Sequence, residues 1–569
     1  MDLKVIYKIS RIIILGIGLC ITGVSNAQNI PDSSYREDLN AVEAKLRAGD
    51  FQAGLDLLDD ITMKYPANPE VFYAKSLVLG QMGRFDESLK SAQAAYANSN
   101  TLFYANHLLG LYKSKKDLNS GIDLLIDLKG KFPNHEGLKR ELLILYTQNN
   151  QLTEAEKLYT SLSKAKHSDT LDLVMSEIYL NTDNLSGAKK ILSRMDGKTM
   201  LADVYGYLAY IAGKEGKNRD AIAVVERGIK RTQNKSLYLD LADIHKGTNK
   251  LDAMYSALKI AFDASEVPFI DKYKFLVGLM SEENTVSDDK LQWLANTLEI
   301  RHPDVLEAQV IKGEVLWRSG NTQEAKSIFL KVLSSNPRYV KVWRLLINTD
   351  LSLGQPDEAI KHGLEGLKHN PNNTEILYFT SLAYAGKEDY ESSKNLLETA
   401  LNYSVNENSY LRSLIYGSLG DIYHYLKMES MSDAAYDEAL LLDSMNVSVL
   451  NNYAYYLGLR KKNLDMAAAY SKRSLAIEPN SATYADTYAW ILFQQGKYTE
   501  ALIWIEKAVK LSQGSAVLYE HYGDILSMLN REKEALVQWN KALELEMSNN
   551  SNNNLAKIQQ KIKERKYVE

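Results

Sequence analysis

Apolar and small residues recur with a fixed spacing in the carboxyl-terminal part of this chain. Tyr488 returns as Tyr522, Ala489 as Gly523, Leu492 as Leu526, Ala501 as Ala535, Ile505 as Trp539 and Ala508 as Ala542, each pair 34 positions apart. A large–small pair, then alanine, then a large apolar residue, then alanine again, at a period of about 34, marks a helix-turn-helix repeat. In this reading the first helix offers the large–small pair. The second helix docks an alanine such as Ala501 into the gap, and the aromatic fills the space to the next unit. No single hairpin can bury its own apolar face, so neighbours must stack.

The pattern extends back through most of the chain. Glu37 to Tyr65 reads as a helix pair around Gly49-Asp50-Phe51, closed by Pro66. The next unit turns at Gly83-Arg84-Phe85-Asp86. Glycine there takes the left-handed conformation cheaply, and Asp86 is expected to cap the second helix. Residues 35–261 form a first array by this reading. Between Phe262 and Pro303 the pattern blurs, with a polar loop at residues 281–289, and 262–303 reads as a degenerate repeat and a candidate hinge. The alternative is an ordinary repeat with a longer turn. Beyond it, residues 304–547 keep strict rhythm, with Pro303, Pro337 and Pro371 spaced by 34. Proline ends one helix and forces an extended link before the next. Residues 548–554 read as an Asn/Ser linker, and 555–569 as a basic amphipathic helix capping the open end.

Asp486-Thr487-Tyr488-Ala489-Trp490, the turn Gly496-Lys497-Tyr498-Thr499-Glu500-Ala501 and Tyr519-Glu520-His521-Tyr522-Gly523-Asp524 resemble the tetratricopeptide repeat family. The resemblance covers nearly all of the chain after residue 34, about fifteen units. It implies an all-α fold, a right-handed solenoid of antiparallel helix pairs. It also implies a groove lined by first helices that binds peptides or helices of other proteins. The lysine-and-asparagine grip on a terminal carboxylate known in the family is not matched, because acids replace the lysines.

First-helix residues that do not pack inward are the expected groove lining: Asn451, Asn452 and Tyr455, then Asp486 and Trp490, then Glu520 and Asp524. This mix of amide, aromatic and carboxylate suits a peptide backbone with a basic or amide-bearing side chain. Exposed aromatics among polar groups are typical interface anchors. The opposing expectation is that Trp490 packs between units and the asparagines cap or solvate a helix.

Composition narrows the function. A formal charge of −5 with no polybasic stretch argues against nucleic acid as partner. Tyrosine is abundant, 36 against 11 phenylalanines, which fits the half-wet sites of a solenoid. The single cysteine, Cys20, excludes a disulfide framework and a thiolate zinc site. His521 with Asp524, and Asp421 with His424, sit one helical turn apart but have no third ligand in register. Asp196-Gly197-Lys198-Thr199 lacks the first glycine of a phosphate loop, since Leu192 stands there, and reads as a turn. No catalytic signature and no cofactor motif is present, and the expected class is non-enzymatic.

The amino terminus is short and basic (Lys4, Lys8, Arg11), then apolar from Ile12 to Val24, then Ser25-Asn26-Ala27 before Gln28. That is the layout of a secretory signal, residues 1–27, cut after Ala27, followed by a polar leader, 28–34. Its rivals are an uncleaved anchor and a lipoprotein, the latter opposed by Leu19 before Cys20. No other segment is apolar enough to cross a membrane. The resulting expectation is an exported, periplasmic scaffold binding proteins or peptides, with a peptidoglycan- or carbohydrate-associated factor as the alternative.

Overall fold

A computed structural model describes residues 34–165, 168–282, 286–512, 515–548 and 555–568. The signal segment 1–27, nearly all of the polar leader and residues 549–554 of the linker lie outside this range, as do residues 283–285 of the 281–289 loop. Among the described residues there are 31 α-helices and no strand. They run as fifteen consecutive helix pairs followed by one terminal helix, Leu555–Glu564. The chain divides into two compact units, Met1–Ala257 and Leu258–Glu569. No helix among the described residues is long and apolar enough to cross a membrane.

In the first unit, helices Ser34–Arg47 and Phe51–Lys64 form the opening hairpin. Gly49 takes φ +81 in its turn, and the Asp50 carboxylate accepts the Ala53 amide at 3.1 Å. Leu39, Val42, Leu46, Leu58 and Val71 close the core beneath it. In the next hairpin Gly83 is left-handed as expected, at φ +75. Asp86, however, is not the cap. The helix begins two residues earlier than a cap at Asp86 would set, at Phe85 with Arg84 at the cap position, so Asp86 lies inside the first turn. There its charge favours the positive end of the helix dipole, and it pairs with Lys115 of the following hairpin. Asp196-Gly197-Lys198-Thr199 is a turn after Leu185–Met195, with Asp196 paired to Arg227 at 2.7 Å.

The blurred stretch contains two helices, Phe269–Ser281 and Asp288–Arg301. Lys272 is fully buried and donates to the carbonyls of Phe262, at 3.1 Å, and Ala264, at 2.6 Å, at the end of the preceding helix. It also lies 3.1 Å from His302 Nε2. A cation there satisfies helix-end carbonyls that would otherwise be orphaned.

In the second unit the small position of the first helix governs which side chain faces it across the hairpin. A Cβ on Gly523 would lie 2.4 Å from Trp539, on Gly420 2.6 Å from Tyr436, and on Gly313 2.5 Å from Phe329. Trp539, Tyr436 and Phe329 are all fully buried. Where the small residue is Ala489, the opposing residue is Ile505, also fully buried. The gap is therefore filled by the large residue sixteen positions on, not by an alanine; Ala501 and Ala508 instead pack on the same buried face. Glycine and aromatic, or alanine and isoleucine, are volume-matched pairs in a close-packed core. Successive first helices also pack directly on one another, as Val447–Leu459 does on Ala482–Gln494.

Candidate functional site: a first-helix trough in the second unit

Two adjoining depressions open along the first helices of the second unit. The larger, about 440 Å³, is lined by residues of the helix Val447–Leu459 (Asn451, Asn452, Tyr455, Tyr456), of Ala482–Gln494 (Thr483, Asp486, Thr487) and of the start of Ala516–Met528 (Val517, Leu518), with Tyr425 at one end. The smaller, about 310 Å³, shares Tyr425, Asn452 and Tyr456 and adds Asp421 and Tyr390. Four of the seven expected lining residues, Asn451, Asn452, Tyr455 and Asp486, thus converge on one site from two consecutive hairpins.

Asp421 orders the polar groups between the depressions. Its Oδ1 accepts the Tyr436 hydroxyl at 2.6 Å and Asn452 Nδ2 at 3.1 Å. A carboxylate only accepts, so the Asn452 amide must present its nitrogen here and its oxygen to the other side. That oxygen receives Asn451 Nδ2 at 3.3 Å, which turns Asn451 Oδ1 away. Asn451 is 4% exposed, and its Oδ1 has no hydrogen-bond partner among the described residues. Burial pushes the Asp421 carboxyl up to about 6, against the lowering effect of hydrogen bonds from Tyr436, Asn452 and Tyr456. Tyr455 is likewise pushed up to about 12, first by burial and then by the nearby Asp486 and Glu520 carboxylates.

The raised acid has a stability signature. Between the ordinary carboxyl value and about 6 the folded chain holds a proton that the unfolded chain has released, so folding stability falls as pH rises through that window. The full fall is at most about 3 kcal/mol, less to the extent that water reaches this half-buried group. Asp421→Asn is expected to flatten this part of the pH–stability profile between pH 4 and 6. Thermal melts of the two proteins across that range measure the difference, which separates Asp421 from Asp524, whose carboxyl is also pushed up to about 6 by burial.

The three remaining expected lining residues lie elsewhere. Trp490 is buried and stacked between Phe493, at 5.0 Å and 11°, and His521, at 4.2 Å and 17°. It packs between units and is not an exposed anchor. Glu520 and Asp524 are 5% and 1% exposed. Instead of facing a partner, they face the chain's own terminal helix, whose Lys561 Nζ lies 2.6 Å from Glu520 Oε1 and 2.7 Å from Asp524 Oδ2. The second oxygen of Asp524 accepts Trp539 Nε1 at 2.9 Å. Lys561 stands on the buried stripe of that helix beside Ile558, and Tyr567 closes the contact edge-on to Phe493 at 5.2 Å. A lysine on an apolar helix stripe requires an acidic partner; the stripe signals that need, but not which acids meet it.

Neither histidine joins the carboxylate beside it in sequence. His521 Nδ1 lies 2.8 Å from Asp486 Oδ1 in the preceding hairpin. Burial disfavours its charged form, yet the Asp486, Asp524 and Glu520 carboxylates outweigh burial and hold its pKa above the ordinary value. His424 stacks on Tyr456 at 3.7 Å. No cluster of three metal-ligating side chains occurs among the described residues. Tyr425, Tyr456 and Thr483 were missed as lining; Tyr456 and Thr483 share first helices with residues that were found, and Tyr425 ends the preceding first helix, Ser409–Tyr425.

Known proteins place the repeat. Family models of the tetratricopeptide repeat match residues 39–102, 306–339 and 484–514. Among solved structures, a tetratricopeptide repeat protein from Parabacteroides merdae is 19% identical over 46% of this chain and 98% of its own, with a TM-score of 0.36. A chain of the APC/C hetero-tetramer Cut9–Hcn1 is 11% identical over 88% of this chain and 98% of its own, TM-score 0.41. YrrB, described as a TPR protein with an unusual peptide-binding site, is 18% identical over 33% and 95%, TM-score 0.27. No curated protein matches. With the repeat models falling at both ends and in the middle of fifteen successive helix pairs, the chain is a tetratricopeptide-repeat protein, of the class that scaffolds protein–protein interaction.

Proposed function

We propose that this chain is an exported, non-enzymatic scaffold that holds a segment of a partner protein in the first-helix trough of its second unit. The observation that carries the reading is the convergence of Asn451, Asn452, Tyr455 and Asp486 on one open depression. Amide and carboxylate groups there can set the register of a peptide backbone, and the tyrosines supply apolar contact at low entropic cost. Binding is reversible and needs no chemical step. The basic leader and short apolar run at the amino terminus support export.

A photo-crosslinking amino acid placed at Thr483, on the exposed rim of the trough, is expected to capture a defined partner in cells. The same group at Ile503, exposed on the second helix of the same hairpin, is expected to capture nothing comparable. Equal capture from both faces would remove the trough assignment. Capture of glycan strands in place of protein would promote the carbohydrate alternative. Amino-terminal sequencing of the exported protein should begin at Gln28, and an intact Met1 would refute cleavage.

A further inference from the structure

We infer that the trough selects a lysine or arginine side chain on an extended partner peptide, seated between Asn451 and Asp486. The inference rests on the trough reading above and adds its specificity. Three observations carry it. The first is the chemistry of the lining. Among the residues lining the two depressions there are two carboxylates, Asp421 and Asp486, and no lysine, arginine or histidine. Such a site is complementary to a cation and repels an acidic segment.

The second is an unmet demand for donors. Asn451 Oδ1 is buried in the lining with no partner among the described residues, and its orientation is fixed through Asn452 by Asp421. Asp486 gives one oxygen to His521 and keeps 17% of its side chain exposed on the lining of the same depression. A buried acceptor without a donor is destabilising, because its lost hydration is not replaced. Ammonium and guanidinium groups carry donors only, so either satisfies both acceptors and introduces no new one.

The third is an example of the same recognition within the chain. Glu520 lies 34 residues after Asp486, in the same position of the repeat. Asp524 holds the position that Asp421 holds three units earlier, on the residue following the small glycine of the first helix (Gly523 and Gly420). In the last hairpin this pair of positions grips the Lys561 ammonium at 2.6 and 2.7 Å. The positions that carry acids at the open trough are therefore the ones that bind a lysine from a basic helix in the last hairpin, one unit after Asp486 and three units after Asp421.

The test is to pan a phage library of random dodecapeptides on the full chain and remeasure synthetic copies of the selected peptides by fluorescence anisotropy. The expected result is enrichment of lysine or arginine at one position. Its change to glutamine should weaken binding about tenfold or more, the loss of a charge-assisted contact. Thr483→Lys on the rim should weaken the basic peptides and Thr483→Glu should tighten them, with added salt diminishing both effects. Peptides that bind, respond to Thr483→Lys and show no basic enrichment, or tolerate the change to glutamine, overturn the specificity and leave the trough reading standing. Failure to select any peptide whose binding responds to residue 483 overturns both.

Discussion

Lys561→Ala should destabilise the last hairpin by about 3–5 kcal/mol, the cost of leaving a buried charge without its partner. Glu520 and Asp524 both face the Lys561 ammonium, and all three side chains are almost completely buried. Without it the chain has two options. The carboxylates can remain buried and take up protons, or the helix Leu555–Glu564 can detach and let water in. Detachment would expose Ile558, now fully buried, and uncover the acids beside Trp539. The observed loss is set by the cheaper option. Amide hydrogen exchange across Ala516–Met528 and Glu532–Ser548 reads it locally, since a repeat array need not unfold as one unit. A triple variant, Glu520→Gln, Asp524→Asn and Lys561→Met, separates charge from packing. It removes the unpaired acids together with the cation and should recover most of the stability. Unchanged protection in Lys561→Ala would show that the ion cluster contributes nothing to holding the helix.

The second large effect is expected at Trp539. Trp539→Ala should cost about 3–5 kcal/mol, from lost burial and the cavity left behind. The side chain is fully buried. It fits because residue 523 is glycine, whose absent Cβ would lie 2.4 Å from the ring. Trp539→Phe retains much of the apolar contact and removes the hydrogen bond from Nε1 to Asp524 Oδ1. Its cost should be smaller, and it should raise the pH at which Asp524 protonates, because one group stabilising the carboxylate is lost. Thermal melts at pH 5 and pH 8 distinguish the two substitutions. An equal loss from both would mean that the hydrogen bond, not the packing, carries the effect.

These two expectations and the trough share a cause. The same first-helix positions point to one face in every hairpin, and what covers that face differs along the array. In the hairpins around Ala482–Gln494 it is left open as the depression. In the last hairpin it is covered by the terminal helix. Acids at equivalent positions accordingly line an open depression in one place and form an internal ion cluster in the other.

The repeat register was legible in the sequence alone. Tyr488 with Tyr522, Ala489 with Gly523 and Ile505 with Trp539 repeat because each occupies the same packing position, and packing inside a hairpin joins residues only about sixteen apart. Short-range constraints of that kind leave a periodic trace. The helix pairs, the left-handed glycine at Gly83 and the small-residue positions all follow from it. Four lining residues, Asn451, Asn452, Tyr455 and Asp486, followed as well, since first-helix positions that do not pack in their own hairpin must face outward.

Tertiary structure alone decided which outward positions are covered. Lys561 reaches Glu520 and Asp524 across 41 and 37 residues, and His521 reaches Asp486 across 35. Each of these contacts joins different hairpins or joins a hairpin to the terminal helix. The period records what repeats. A lysine placed once, at the end of the chain, does not repeat, and neither does a tryptophan sealed between His521 and Phe493. Whether an acid is a surface or a core residue is decided by its neighbour in space, and for Glu520 and Asp524 that neighbour lies on a helix with no counterpart elsewhere in the array.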